Sequence, residues 1–153
     1  MRRFLIALLI GFFASSAMAG NPTPYSGTRV IKTGKPFAAY LTSLKGAIRA
    51  NKLGIVAEAC ATCGAKAIGV TIPGNRVVMV FSPTFAVRML KASEAAGIEA
   101  PLRLYVTEQP DGTAKLTYRL PSHVFAPYAT ADLDAMAIEL DRVFAKIVKQ
   151  AGT

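Results

Sequence analysis

Two short alternating segments in the second half of the chain restrict its fold most strongly. At residues 102–107 and again at 114–119, apolar side chains alternate with polar ones, a pattern typical of a strand with one buried side and one solvent-facing side. The sequence Pro110-Asp111-Gly112 lies between them and favours a turn, so the two strands are predicted to form a hairpin. The chain therefore contains an antiparallel sheet whose apolar face must be covered by other elements.

Three amphipathic segments can supply that cover. The first spans residues 36–51, the second begins at Pro83, and the third runs from Thr130 to Ile147. In each of them apolar residues recur at spacings of three and four, which is typical of a helix with one apolar face. We expect these helices to pack on the sheet.

Shorter β-prone runs complete the sheet. They lie at residues 28–32, 55–57, 68–72 and 76–81. A turn at residues 73–75, Pro-Gly-Asn, predicts that the last two runs pair as a hairpin. The predicted order is β-α-β-β-β-α-β-β-α. The fold class is α+β, a single compact domain with one antiparallel or mixed sheet of about five or six strands packed against helices.

The first nineteen residues have the composition of a secretory signal. Two arginines begin it, an apolar run follows, and residues 17–19, Ala-Met-Ala, match the small-x-small cleavage pattern. The apolar run is shorter than the roughly 20 residues of a membrane-spanning helix. We therefore predict a signal peptide at 1–19 cut after Ala19, an arm at 20–27 and a domain at 28–150, located in the periplasm or secreted, with no transmembrane segment left.

The charge of the chain indicates what kind of partner to expect. The formal net charge is +9, and removal of the two signal arginines leaves 9 − 2 = +7. The basic residues are scattered instead of forming a block with interleaved aromatics, which argues against a nucleic-acid-binding protein. The scatter indicates a solvated surface with weak attraction to acidic partners or anionic lipid.

Cys60 and Cys63 are the only cysteines and form a C-x-x-C motif. In an exported protein such a pair forms a local disulfide or a redox pair. Heme attachment is excluded because Gly64 follows Cys63 where a histidine is needed. A complete structural zinc site within one chain would need carboxylates in addition to the two cysteines and one histidine. The glycines and prolines after Cys63 leave at most about two helical turns, whereas a thioredoxin motif begins a long helix. A structural disulfide, a redox pair and metal or ligand binding remain open.

His123 is the only histidine and lies in residues 121–130, which contain two prolines and are predicted to form a loop. It is a candidate metal ligand, heme ligand or acid/base residue. An ordinary loop histidine is the simpler interpretation, because the sequence shows no partner for it. The methionines at 79, 89 and 136 lie in core patterns and are interpreted as core residues, not as copper ligands.

Several short motifs occur in a fixed order along the chain. They are Gly64-Ala65-Lys66-Ala67-Ile68-Gly69, Phe81-Ser82-Pro83, Met89, Ala100-Pro101-Leu102-Arg103, Asp111-Gly112, and Tyr118 with Pro121. Together, over residues 28–147, they resemble the bacterial family catalogued as domain of unknown function 302. The resemblance implies a compact α+β domain that often self-associates, so a homodimer is expected. It implies no agreed activity or cofactor.

The chain departs from the family pattern at its cysteines. Many members of that family have an Asp-His pair where this chain has Cys60-Ala61, and their Gly-Thr after the strand-exit proline is replaced here by Thr84-Phe85-Ala86. Whatever is particular to this protein is therefore expected in residues 60–63.

Three functions remain open. The first, which we favour, is an exported binding or accessory module of unknown ligand, because no Ser-His-Asp order, phosphate-binding glycine loop or paired carboxylates form a catalytic set. The second is a small thiol–disulfide or redox-sensing protein with Cys60 as the more exposed thiol and Cys63 as its resolving partner. The third is a metal- or heme-binding accessory protein with His123 near the cysteines. No residue is assigned as catalytic, and no cofactor is named.

Overall fold

The computed structural model describes residues 20–153. The predicted signal peptide, residues 1–19, lies outside the described residues, and residues 20–27 form an arm that precedes the first strand. The strands are β1 (Thr28–Pro36), β2 (Gly54–Ala59), β3 (Asn75–Phe81), β4 (Leu102–Glu108) and β5 (Thr113–Arg119). The α-helices are α1 (Phe37–Ala50), α2 (Ala61–Ala67), α3 (Pro83–Ala92), α4 (Pro121–Phe125) and α5 (Ala131–Gly152), and 3-10 helices lie at Ala95–Glu99 and Ala126–Tyr128. Within that range no helix is both long enough and apolar enough to cross a membrane.

The five strands form one antiparallel sheet in the order β1-β5-β4-β3-β2. The predicted hairpin is β4–β5, in which Leu104 lies opposite Tyr118. Its turn closes through Gln109, whose N–H donates to the Thr113 carbonyl at 2.8 Å. Gly112 in this turn has a φ of 78°, a value that glycine adopts without steric cost. The α+β class and the single compact domain are confirmed.

One face of the sheet forms the core. Val78, Leu104 and Leu116 are fully buried there, beneath α1 and α5. The opposite face exposes Arg103 and Tyr105, as the alternation predicts. A second apolar cluster lies where α3, α4 and α5 meet. Full burial of a large aliphatic side chain contributes roughly 1.5–3 kcal/mol, so these two clusters hold the helices to one side of the sheet.

The strand predicted at residues 68–72 is wrong. Residues Ala61–Ala67 form α2 instead, and the chain from 68 to 74 has no regular structure. Both edges of β3 are occupied, one by β2 and the other by β4, so no edge is left for a strand at 68–72. Gly69 has a φ of 76°, which interrupts an extended run. Ile68 and Val70 are exposed and Ile72 is partly buried, so their alternation does not mark the buried face of a strand.

The loop predicted at residues 121–130 is also wrong in part. Residues 121–125 form α4 and 126–128 form a 3-10 helix. Pro121 occupies the first helical position, where its missing N–H costs nothing. The N–H of Ser122 donates to Asp141 Oδ1 on α5 at 3.0 Å, and Phe125 is buried. A five-residue helix is too short to show helical periodicity in the sequence, and packing against α5 stabilises it.

Candidate functional site

The cysteines lie at the end of β2, an outer strand of the sheet. The structure joins Cys60 and Cys63 by a disulfide bond. Cys60 is the N-cap of α2, and its Sγ accepts a hydrogen bond from the N–H of Cys63 at 2.9 Å. Cys63 is exposed and Cys60 is partly buried, which reverses the exposure expected for the two sulfurs. α2 begins between the cysteines, contains Cys63 and is seven residues long, so the helix after Cys63 is shorter than the two turns allowed by the sequence.

Thr62, between the cysteines, links this segment to the start of β3. Its Oγ1 donates to the carbonyl of Pro73 at 3.1 Å and accepts from the N–H of Asn75 at 2.9 Å. The neighbouring Gly74 is held from the other side, because its N–H donates to Glu108 Oε2 at 2.6 Å and its carbonyl accepts from the N–H of Glu108 at 2.8 Å. The disulfide therefore lies in a segment that is hydrogen-bonded to the start of β3, next to the end of β4.

His123 lies far from the cysteines. It is on α4 and packs against Gly27, which precedes β1, whereas Cys60 follows β2. Because β1 and β2 are the two edges of a five-stranded sheet, four strand spacings or roughly 19 Å separate them. The structure therefore does not bring His123 and the cysteines into one site. Among residues 20–153, no group of three or more His, Cys, Asp or Glu side chains could hold a metal ion.

His123 instead holds the arm in place. Gly27 has a φ of 72°, and the His123 ring fills the space that a Cβ at that position would occupy. The His123 Nδ1 lies 3.3 Å from Ser26 Oγ. The Thr28 hydroxyl donates to the carbonyl of Tyr25 at 2.7 Å. These contacts place the Tyr25 ring beside β5, 4.9 Å from the Arg119 guanidinium carbon.

A cavity of about 360 Å³ lies next to this arm. Its walls come from the arm, the 3-10 helix Ala95–Glu99, β4, β5 and α4. The lining residues are Tyr25, Glu99, Leu102, Arg103, Arg119 and Val124. The volume is in the range of small-ligand sites, which combine apolar walls with a few polar groups. We call it the arginine cavity.

Two arginines give this cavity its charge. The pairing of Leu104 with Tyr118 sets Arg103 and Arg119 at the next opposing positions of the hairpin, on its outward face. Like charges in such positions repel one another. The Nε atom of Arg119 is buried, and the residues that the structure describes offer it no hydrogen-bond partner. A buried donor without a partner costs roughly 1–3 kcal/mol, and more when charged. Neither Arg103 nor Arg119 belongs to the ion pairs found among residues 20–153, so their positive charge remains available to an anion in the cavity.

Glu99 contributes the opposite charge. Its Oε1 accepts a hydrogen bond from the Tyr128 hydroxyl at 3.0 Å. Burial, together with the hydrogen bond and the negative charge of Glu99, raises the pKa of Tyr128 above its ordinary value. A tyrosine hydroxyl is protonated near neutral pH in any case, and the raised pKa lets it keep donating to Glu99 at higher pH. The cavity thus presents two cationic groups, one carboxylate and apolar walls.

A second cavity lies inside the core, between the two apolar clusters. Its volume is about 30 Å³, roughly enough for one or two water molecules. Its lining is almost entirely apolar and includes Met89, Phe125, Met136 and Phe144. It lacks the polar groups that would orient a ligand, so we regard it as a packing defect of the core.

Sequence reasoning did not assign a function to any residue of the arginine cavity. The alternation predicts that Arg103 and Arg119 both face outward on one hairpin. Counting residues outward from its turn places them opposite each other. The strand register of the hairpin was therefore the sequence signal that could have identified this arginine pair. The other walls come from residues at 25, 99 and 124, which no local pattern connects.

Comparisons with known proteins agree on the fold. The family model described as domain of unknown function DUF302 matches residues 29–151. The structure is similar to the crystal structure of an uncharacterized conserved protein DUF302 from Bacillus stearothermophilus, with a TM-score of 0.73 and 16% sequence identity over 82% of this chain and 98% of that one. At this identity the likeness shows the fold alone. A search of curated proteins finds no match.

Proposed function

This chain belongs to the family described as domain of unknown function DUF302, and we propose from its own residues that it is an exported binding module for a small organic anion, held in the arginine cavity. The observation that carries the proposal is that Arg103 and Arg119 line one cavity and that neither belongs to an ion pair found among residues 20–153. The signal-like composition of residues 1–19 supports a location in the periplasm or outside the cell.

The charge and shape of the cavity suggest a carboxylate on an apolar body. A guanidinium group presents paired N–H donors that match the two oxygens of a carboxylate. Leu102, Val124 and the Tyr25 ring form the other walls, and these favour a carbon skeleton over an inorganic ion. A binding function also agrees with the absence of a recognisable catalytic set in the sequence.

Isothermal titration calorimetry of the purified protein tests this proposal. The probes are 4-methylpentanoate, acetate and inorganic phosphate, each added at constant ionic strength against a chloride baseline. We expect 4-methylpentanoate to bind most tightly and Arg119→Gln to weaken it by about tenfold or more, the usual cost of losing a charge-assisted hydrogen bond. The control is Arg142→Gln, an equal charge change at an exposed position of α5, which should leave binding unchanged. Equal binding by Arg119→Gln and the unmodified protein would refute the proposal.

A second candidate function is thiol–disulfide exchange, supported by the exposure of Cys63 at the surface. A thiolate of a partner would attack Cys63 Sγ, form a mixed disulfide and release Cys60 as a thiolate. Equilibration with glutathione tests it. A reduction potential below about −300 mV would mark the pair as an inert bridge, whereas a higher potential together with turnover of a model disulfide that is lost in Cys63→Ser would support exchange.

Location and assembly are separate proposals. We expect fractionation of the native host to find the chain, cut after Ala19, in the periplasm or the medium; uncut protein in the cytoplasm would contradict this. The homodimer implied by the family resemblance is tested by light scattering, which should give twice the mass of the mature chain.

A further inference from the structure

We infer that the ligand of the arginine cavity is a zwitterion, an amino acid or a short peptide, whose carboxylate meets Arg103 and Arg119 and whose ammonium group meets Glu99. This inference rests on the proposed anion-binding function and narrows its ligand class. It depends on the presence of both charge signs in one cavity and on the way each charged group is held.

Opposite charges line the arginine cavity without neutralising each other. The ion pairs found among residues 20–153, with N–O distances within 4.0 Å, use Glu58 and Glu139. Glu99 belongs to none of these pairs, although Arg103 and Arg119 line the same cavity. A gap therefore separates the carboxylate from the guanidinium groups, and a ligand carrying both charges can span that gap.

Glu99 is held in place before any ligand binds. Its Oε1 is engaged by the Tyr128 hydroxyl at 3.0 Å, and Oε2 is the oxygen left for a ligand. A tyrosine hydroxyl is protonated near neutral pH, so the hydrogen bond to Glu99 persists there, and the raised pKa of Tyr128 extends it to higher pH. A positioned acceptor loses less conformational entropy on binding than a free side chain.

The same carboxylate selects against other anions. A dicarboxylate or phosphate placed on the arginines would bring additional negative charge towards Glu99, and like charges repel. A ligand with an ammonium group gains attraction from the same residue. Leu102 and Val124 offer apolar surface for the side chain, so an aliphatic amino acid is the simplest match.

Two matched pairs of probes isolate the ammonium group. One pair is leucine and 4-methylpentanoate, which have the same carbon skeleton. The other is leucyl-leucine and N-acetyl-leucyl-leucine, which test a wider charge separation. By calorimetry, we expect the unmodified protein to bind at least one ammonium-bearing probe about tenfold more tightly than its partner probe.

Glu99→Gln should remove that preference, and it should tighten 4-methylpentanoate binding, because the repulsion between the Glu99 carboxylate and the bound anion is lost. Glu94→Gln is the control, because Glu94 is exposed and does not line the cavity; it should keep the preference. Tyr128→Phe, which frees Glu99, should reduce the preference by a smaller factor and serves as the second variant. Circular dichroism and thermal unfolding verify that each variant is folded.

The possible failures are distinguishable. If neither ammonium-bearing probe binds more tightly than its partner, or if the preference survives Glu99→Gln, the zwitterion inference is overturned. In that case, 4-methylpentanoate binding that is lost in Arg119→Gln still supports the proposed function. If Arg119→Gln binds 4-methylpentanoate as well as the unmodified protein does, both the proposed function and the inference are overturned.

Discussion

The hydroxyl of Tyr40 offers a sharp test of the core. Tyr40 is 1% exposed, and no described residue accepts a hydrogen bond from its hydroxyl or donates one to it. Replacement by phenylalanine removes the polar atom and leaves the ring in place. Because an unpaired buried hydroxyl costs roughly 1–3 kcal/mol, we expect Tyr40→Phe to increase the free energy of unfolding at pH 7 by about that amount.

The same residue predicts how stability depends on pH. Burial, with a smaller contribution from Tyr118, raises the pKa of Tyr40 from 10.0 to about 12. The folded state therefore keeps this proton to higher pH than the unfolded state does. The part of the free energy of unfolding that depends on this proton is fully present below pH 10 and is lost as the pH rises from about 10 to 12. At pH 11 the loss is about 1.4 kcal/mol, and the advantage of Tyr40→Phe over the unmodified protein should widen by that amount.

Urea denaturation at pH 7, 9 and 11 measures both effects. Tyr105→Phe is the control at pH 7, because the Tyr105 hydroxyl accepts a hydrogen bond from Asn75 Nδ2 at 2.6 Å. Its removal should leave stability unchanged or lower it by up to about 1 kcal/mol. If Tyr40→Phe instead lowers stability by more than about 1 kcal/mol at pH 7, the hydroxyl has a partner in solution and the reasoning is refuted.

Two further predictions concern the corners of the sheet. Reduction of the bond between Cys60 and Cys63, which closes a short loop, should lower the free energy of unfolding by about 2 kcal/mol. The double variant Cys60→Ser/Cys63→Ser should not respond to dithiothreitol. A large response of that variant would show that the loss of stability does not come from this disulfide. Gly27→Ala should lower the free energy of unfolding, measured by urea denaturation, more than Gly34→Ala does. Both sites have positive φ, which costs about 1–2 kcal/mol for alanine, but a Cβ at Gly27 also overlaps the His123 ring whereas one at Gly34 meets open space. Equal losses would show that His123 does not pack there.

The parts of the fold that depend on local patterns were predictable from the sequence. The hairpin β4–β5 follows from two alternating segments around a glycine turn, and α5 follows from a long apolar stripe. In both, neighbouring residues supply most of the information, because strand alternation and helical spacing are local periodicities. The buried residues Leu104 and Leu140 lie on the faces that these periodicities define.

The parts that failed depend on contacts between distant segments. The run at 68–72 has strand-like residues, but its predicted partner, β3, is already paired on both edges. The turn at Gly74 is held by Glu108, a residue 34 positions further along the chain. The arginine cavity was missed for the same reason. Its register was readable, but the burial of Arg119 Nε depends on the tertiary packing around it.

The strand order also constrains the sequence of events in folding. The pairs β2–β3, β3–β4 and β4–β5 join strands that are neighbours along the chain, whereas Thr28 of β1 pairs with Arg119 of β5. Closing such a long loop is entropically costly and slows folding. Since synthesis begins at the N-terminus, β1 must wait until β5 has been made before it can pair.

The arginine cavity takes Tyr25 from the arm ahead of β1 and Arg119 from the end of β5. Its walls are therefore complete only after the two ends of the domain have joined. A ligand of this cavity would bind the finished fold and not its precursors, and by mass action it would protect the finished fold from unfolding. A ligand bound in the cavity would thus indicate that β1, the last strand to pair, is in place.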